Sequence, residues 1–494
     1  MEKVYAYITH WTDLLLQKKR TLFVLGGLAV FLTLSAVSIF ILLKFPNSGD
    51  EYLYLYQART FLAGRFSNPA HPLQHFFKFT WILFRKNRVF CHFLPGWPLF
   101  LAVGMVLKIP AYLIGPLVGT LSLGALFLLG KKIYTPRIAL IAVLLTFFSS
   151  FFIFNAASYF SHTPCSLLLI LFVYVSLRFE ETSRTHAGLL SGFLFAAAFI
   201  TRPFSALLCG LPMFLHLLPG LLKAPRKLLP LLSGALPVFS FLLFYDYQLT
   251  GNPFSLPMLL VKQNRQWGVS ILQVQTLIYY LKKLFLWMPV SFPVLYFASL
   301  CKGLTARKTL PSGEILLGSF FLFQILGQFF FIPTEGNAYG PRYYYESFPF
   351  LVLFITAFLF KETTYSQKGI LGKLLFVFFL ISLPLSVPPW INHLKTERAV
   401  ILERSDLYRT VELQRIQNAI IFIGSGTGTI RPMKIYDLTR NDGDYQNSVL
   451  YAIDHGRGNR ALMSFYPDRT YYHYHYDKRL RQGSLKRLAP FPRR

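Results

Sequence analysis

The chain has 494 residues, of which 54% are hydrophobic and only 14% charged, where soluble domains carry about 25% charged residues. Lys and Arg number 50 against 21 Asp and Glu, a net charge of +29. Residues 21–43, 109–130, 138–177 and 315–334 contain no Asp, Glu, Lys or Arg; each is long enough to cross the roughly 30 Å hydrocarbon core as a helix. A soluble enzyme, a disordered chain and a disulfide scaffold are excluded, and the expected fold class is an all-α polytopic membrane protein.

Residues 1–20 read as a cytoplasmic N-terminus. The apolar run that follows Lys18-Lys19-Arg20 is too long for the core of a signal peptide and reads as a retained signal-anchor. Eleven crossings are expected near 21–44, 109–130, 138–156, 163–178, 187–201, 203–222, 228–245, 284–301, 314–333, 346–360 and 373–390. Short basic loops at 131–137, 223–227, 302–308 and 361–373 separate them. With the N-terminus inside, all four loops are cytoplasmic, as the positive-inside rule requires. The excess positive charge therefore points to anionic membrane lipid, not nucleic acid. Residues 94–107 are apolar but too short to span, and a span there would invert every later basic loop, so they read as an interfacial or re-entrant helix. Residues 45–108 become one large outer loop of a membrane domain covering 21–390.

Beyond 390 the character changes. A helix rich in Glu and Arg is expected at 397–417, then strands at 419–423, 448–454, 460–466 and 470–476, then a basic tail at 478–494. Residues 391–494 read as a small α+β domain outside the membrane. Cys91, Cys165, Cys209 and Cys301 show no metal-ligand spacing, and neither a disulfide nor a zinc site is expected.

The outer loop opens with Asn47-Ser48-Gly49-Asp50-Glu51-Tyr52. Ser48 and Glu51 have capping-box spacing, so a helix is expected from Ser48 to Gly64. Asp50 falls in its first turn, where the helix dipole favours an ionised carboxylate. Such a group can act as a general base toward a hydroxyl; capping alone also explains both acids. Other polar residues collect at the outer ends of crossings: His162, Arg202, Asp246, Glu335, and Arg342 with Tyr345 and Glu346. An Arg among apolar helices needs an anionic partner. A phosphate fits the guanidinium fork, and pairing of Arg202 and Arg342 with Asp246 and Glu335 is the alternative. Gly424-Ser-Gly426-Thr-Gly428-Thr lacks the P-loop lysine and reads as a turn. His473 and His475 share a strand face with His455 near, and a solvated face is preferred to a metal site. Gly115 and Gly119 read as intramolecular helix packing.

Taken together, Gly49-Asp50-Glu51-Tyr52, Leu94-Pro-Gly-Trp-Pro-Leu-Phe-Leu-Ala, Thr201-Arg202-Pro203 and Gly340-Pro-Arg342-Tyr343 resemble the GT-C superfamily of membrane glycosyltransferases. Within it they are similar to protein O-mannosyltransferases and to the aminoarabinose transferase of lipid A. The resemblance covers roughly residues 20–390. The run Phe465-Tyr-Pro-Asp-Arg469, with Tyr472 and Tyr474, resembles the tail domain of one branch. The resemblance implies a GT-C-like membrane fold, a polyprenyl-phosphate-linked sugar donor, and a lipid, glycan or protein acceptor at the outer face of the plasma membrane. It also implies transfer with inversion. Asp50 matches the aspartate that assists the acceptor, and Glu51 could join it at a divalent cation such as Mg or Mn. Arg202 and Arg342 could bind the leaving phosphate, with His162 and Tyr345 as further substrate contacts. A transporter or flippase, and a non-catalytic envelope assembly protein, are the rival classes. A transporter should carry ionisable residues near mid-membrane, and crossings 2, 3, 4, 7 and 9 carry none at mid-span.

Overall fold

In the computed structural model, residues 2–17, 19–78, 81–260, 271–305, 312–330, 338–361, 369–424, 440–477 and 479–489 are described. The chain is mostly helical and packs as two units. One comprises Met1–Ser38, Tyr112–Phe241 and Asn264–Leu394; the other comprises Ile39–Ala111, Leu242–Gln263 and Lys395–Arg494.

The first unit holds most of the apolar helices. Among the described residues of the whole chain, seven helices are long and apolar enough to cross a membrane, or up to nine if each of two bent pairs is one span. The protein is a multi-pass membrane protein. The helix expected at 138–156 is one bent pair, Pro136–Phe147 and Ser150–Ala157, turned by 70°. Ser149 adopts an extended backbone between them. The crossing expected at 284–301 is corrected more strongly. Its residues belong to Ile271–Trp287 and Ser291–Cys301, which meet at 115°. Pro289 lies in the break; proline lacks the N–H an unbroken helix needs and disfavours helical backbone at the residue before it. Pro203 acts likewise. Thr185–Thr201 ends at Arg202, whose φ of −150° and ψ of 89° are non-helical, and Pro203–Lys223 begins anew. Thr185–Thr201 and Phe348–Phe360 are 17 and 13 residues long. At about 1.5 Å per residue the second reaches only ~20 Å, short of the hydrocarbon thickness.

Gly115 and Gly119 do serve packing within the chain. A Cβ at Gly115 would lie 2.4 Å from the Ser158 carbonyl oxygen, and one at Gly119 would lie 2.7 Å from the Ala156 Cβ. At the N-terminus, Glu2–Gln17 forms a helix. Its Leu16 packs with Phe127, Ala139 and Leu140, and its Asp13 pairs with Arg137 at 2.6 Å.

The second unit carries the sheets. Gly49–Leu62 is a helix, followed by an antiparallel sheet of Asn68–Pro69, Ile82–Arg85 and Arg88–Cys91. The turn between the last two strands holds Lys86 and Asn87 at φ of 46° and 59°, the left-handed conformation that tight hairpins use. Gly96–Val106 is the short apolar helix expected at 94–107, with Phe100, Val103 and Val106 exposed.

After the helix Val387–Leu413, a four-stranded sheet forms in the order Val449–Ile453, Ala419–Ile423, Thr470–Asp477, Gln482–Arg487. The first three strands are parallel and the last is antiparallel. Two expectations are corrected here. Residues 460–466 are not a strand: Asn459–Phe465 is a helix in the connection between two parallel strands, which must cross over rather than turn back. Gln482–Arg487, read as basic tail, is the edge strand. Phe76 and Phe77, from the segment before the first sheet's hairpin, share one core with Ile420, Phe422, Leu450, Ala452, Leu462, Met463 and Tyr471.

Candidate functional site

The first-loop motif folds as its spacing predicts. Ser48 is extended, and its Oγ accepts the Glu51 N–H at 3.3 Å. Glu51 Oε2 accepts the backbone N–H groups of Ser48 at 2.9 Å and Asn47 at 2.8 Å. Glu51 is therefore a buried cap, at 1% exposure. Asp50 is half-buried in the same first turn. The far end of this helix is held too: Gln57 donates to the Tyr245 hydroxyl and to the Phe93 carbonyl oxygen.

The Glu51 carboxylate is turned onto two backbone donors. No group of three or more His, Cys, Asp or Glu able to hold a metal occurs among the described residues; an ion such as Mg²⁺ takes one or two carboxylates and completes its shell with water and substrate phosphate.

Arg202, Arg342, His162 and Tyr345 come together in the other unit, around Glu346, a residue that the sequence reading named among the polar groups but gave no role. Glu346 Oε1 lies 2.9 Å from His162 Nδ1 and 2.7 Å from Arg202 Nε. His162 and Glu346 are wholly buried. Each arrives by a different route. His162 starts the helix His162–Thr182, Arg202 sits at the Pro203 break, and Glu346 precedes Phe348–Phe360. Arg202 Nη1 also donates to Ser161 Oγ at 3.1 Å. Tyr345 accepts a hydrogen bond from Thr163 at 3.2 Å. Arg342 is buried, with its Cζ 4.4 Å from the centre of the Phe160 ring and 5.7 Å from that of Tyr343. Arg202 reaches the same Tyr343 ring at 5.9 Å. Tyr343 is held in turn by Gln324 and Gln328, whose amides donate to its carbonyl oxygen.

His162 Nε2 and Glu346 Oε2 are buried and make no hydrogen bond among the described residues. Buried polar atoms are normally paired with protein or water, so both are positions for a water or a ligand. The Arg202 fork is divided between Glu346 and Ser161, so it meets a phosphate by sharing donors, of which a guanidinium has five. Glu346 is the kind of carboxylate that an arginine between apolar helices demands, but its choice of partner was not written in any local motif.

A family model described as dolichyl-phosphate-mannose-protein mannosyltransferase matches residues 96–245. Among solved structures, ArnT from Cupriavidus metallidurans bound to undecaprenyl phosphate is similar at a TM-score of 0.57 and 12% identity, over 92% of this chain and 93% of that one. Its apo state gives 0.54 and 11% over the same shares. The chain has the GT-C fold. The archaeal oligosaccharyltransferase AglB from Archaeoglobus fulgidus, in complex with an inhibitory peptide and a dolichol-phosphate, is matched at 0.47 and 10%, over 91% of this chain and 69% of that one. A second family model, Domain of unknown function (DUF7846), matches residues 429–491. No curated protein matches the chain by sequence.

Within the GT-C fold, the mannosyltransferase match takes in His162 and Arg202 but stops before Arg342 and Glu346 and starts after Asp50. The other polar residues noted in the sequence fall outside this cluster. Asp246 is buried at 1% exposure, and neither of its oxygens makes a hydrogen bond among the described residues. His473 Nε2 lies 2.7 Å from Asp454 Oδ2, and the His455 ring packs on His75. Glu335 and residues 425–429 of the glycine-rich run lie outside the described residues, as do parts of the basic loops at 302–308 and 361–373.

Proposed function

We propose that this protein transfers a sugar, a hexose or pentose, from a polyprenyl-phosphate-linked donor to an acceptor at the outer face of the plasma membrane. The observation that carries the reading is the mannosyltransferase match over residues that include His162 and Arg202, inside a fold whose solved example binds undecaprenyl phosphate. The acceptor hydroxyl attacks the anomeric carbon as the bond from that carbon to the phosphate oxygen breaks. The acceptor proton passes to Asp50, and the electron pair leaves on the polyprenyl phosphate. A single displacement inverts the anomeric centre. Arg342 and Arg202 stabilise the charge that grows on the phosphate, the kind of electrostatic term that dominates such transfers. His162, held by Glu346 through Nδ1, offers Nε2 to a substrate hydroxyl, and Tyr345 is a further substrate contact. A divalent cation such as Mg or Mn could be held by Asp50 together with water and substrate phosphate, where it would offset phosphate charge; no step is routed through it. The acceptor is a lipid, glycan or protein. The basic loops face anionic membrane lipid on the cytoplasmic side, and residues 45–108 and 391–494 lie outside.

Single-turnover transfer from a polyprenyl-phosphate sugar, with the protein in liposomes, tests the chemistry. Release of polyprenyl phosphate coupled to glycosylated acceptor supports it. Absence of transfer from hexose and pentose donors alike, with bound donor recovered intact, overturns it. Orientation is checked separately with Cys301 replaced: an impermeant thiol reagent should label a cysteine at 442 and spare one at 134.

A further inference from the structure

We infer that the C-terminal domain is a positioning part for the first-loop carboxylate, acting through Arg404 and Arg440. The inference rests on the reading of Asp50 as the group that takes the acceptor proton.

Arg404 and Tyr408 lie one turn apart on the helix Val387–Leu413 and so face the same side. Arg404 Nη1 donates to Asn47 Oδ1 at 3.1 Å. Asn47 donates its own N–H to Glu51 Oε2 at 2.8 Å. A chain of hydrogen bonds thus runs from the C-terminal region to the residue beside Asp50. Arg440 makes the second tie. Its Cζ lies 3.5 Å from the centre of the Tyr408 ring, 5.0 Å from Phe45 and 5.9 Å from Tyr52. Phe45 and Tyr52 bracket Asp50 in sequence, and their rings meet edge-on at 5.9 Å. A cation among three buried aromatic faces attracts all of them. A third tie holds the other end of the same helix: just past Gly64, Arg65 meets Asp444 with two parallel contacts of 2.6 and 2.9 Å.

The helix Gly49–Leu62 does not need these ties in order to form, since Ser48 and Glu51 already satisfy its first turn. What they add is a fixed place for that turn. Arg440 and Asp444 both fall within residues 429–491, which a family model described as a domain of unknown function matches, and this geometry assigns that module a role. A displacement of about 1 Å at a reacting group can cost on the order of 10²-fold in rate, so a tie of this kind shows in kcat.

The test uses the full-length protein in liposomes. Arg440→Ala and Arg404→Ala should each lower kcat by about tenfold while the KM for polyprenyl-phosphate sugar changes less than about twofold, the pattern of a lost alignment and not of lost binding. Amide exchange at residues 47–52 should speed up in the same variants, with exchange in Ala419–Ile423 unchanged. The charge swap Arg65→Asp with Asp444→Arg should recover the rate lost in either single variant. Unchanged kcat and unchanged exchange at 47–52 overturn the inference. So does a rise in KM at constant kcat, which would make the arginines donor contacts. Exchange needs no turnover. If Asp50→Asn transfers normally, the base has been misassigned; the exchange result then still decides whether the C-terminal domain holds this turn.

Discussion

Two polar regions of this protein were built by opposite routes. The Asn47–Glu51 turn closes on itself: every hydrogen bond of its capping box spans three or four positions. The buried cluster in the other unit joins His162 to Glu346 across 184 positions, and Arg202 enters it from a separate helix break. The first is a local solution to the unsatisfied N–H groups at the start of a helix. The second is a tertiary solution to placing an arginine among apolar helices. They should therefore fail differently when their members are removed.

The largest loss is expected in the second. Glu346→Ala leaves Arg202 and the buried His162 without their shared carboxylate, and breaking a buried pair from one side costs about 3–5 kcal/mol. Thermal unfolding in detergent should drop by many degrees. A midpoint close to the wild type would mean that the cluster rearranges freely. Asp50→Asn should do the reverse, leaving the midpoint nearly in place because Ser48, not Asp50, caps the helix. Transfer should fall by about 10²-fold, the scale of a general base. Normal transfer by the folded variant would return Asp50 to a purely electrostatic role in the first turn.

Ser48→Ala tests the local solution alone. Loss of the cap should cost about 1 kcal/mol, less than the Glu346 variant and visible as faster exchange in the first turn of Gly49–Leu62. If Ser48→Ala matched Glu346→Ala in stability, the contrast between local and tertiary sites would collapse.

The smallest effect concerns the exposed tie at the end of that helix. Arg65 beside Asp444 holds its carboxyl below the usual carboxylate range. A carboxyl with a lowered folded pKa stabilises the fold fully above its unfolded value of about 3.9, and that contribution fades as pH falls through the lowered folded value. Acid titration of unfolding should show a small loss below about pH 4, under roughly 1 kcal/mol for so exposed a pair. It should be missing in Arg65→Ala and reduced by salt. A loss that begins near neutral pH would belong to another group.

By itself the sequence determined what local rules can decide. Apolar run length set the membrane class, and Ser48-x-x-Glu51 set the start of a helix. Pro203 set the break that Arg202 occupies, and Gly115 and Gly119 set a close helix contact. Each of these depends on atoms a few positions apart or on a property summed over one segment. Where length and proline act together the reading was weaker, and the 284–301 segment came out as parts of two helices at 115°. The tertiary structure alone decided that Glu346 is the partner of His162 and Arg202, since no spacing rule connects residues on separate helices. It alone turned residues 460–466 into a crossover helix, because that depends on which strands lie parallel. It alone brought Phe76 and Phe77 into the core of the C-terminal sheet and set Arg440 over the rings beside Asp50. A hydrophobic or cationic side chain is satisfied by whichever surface burial brings to it, and that choice is made by the whole fold.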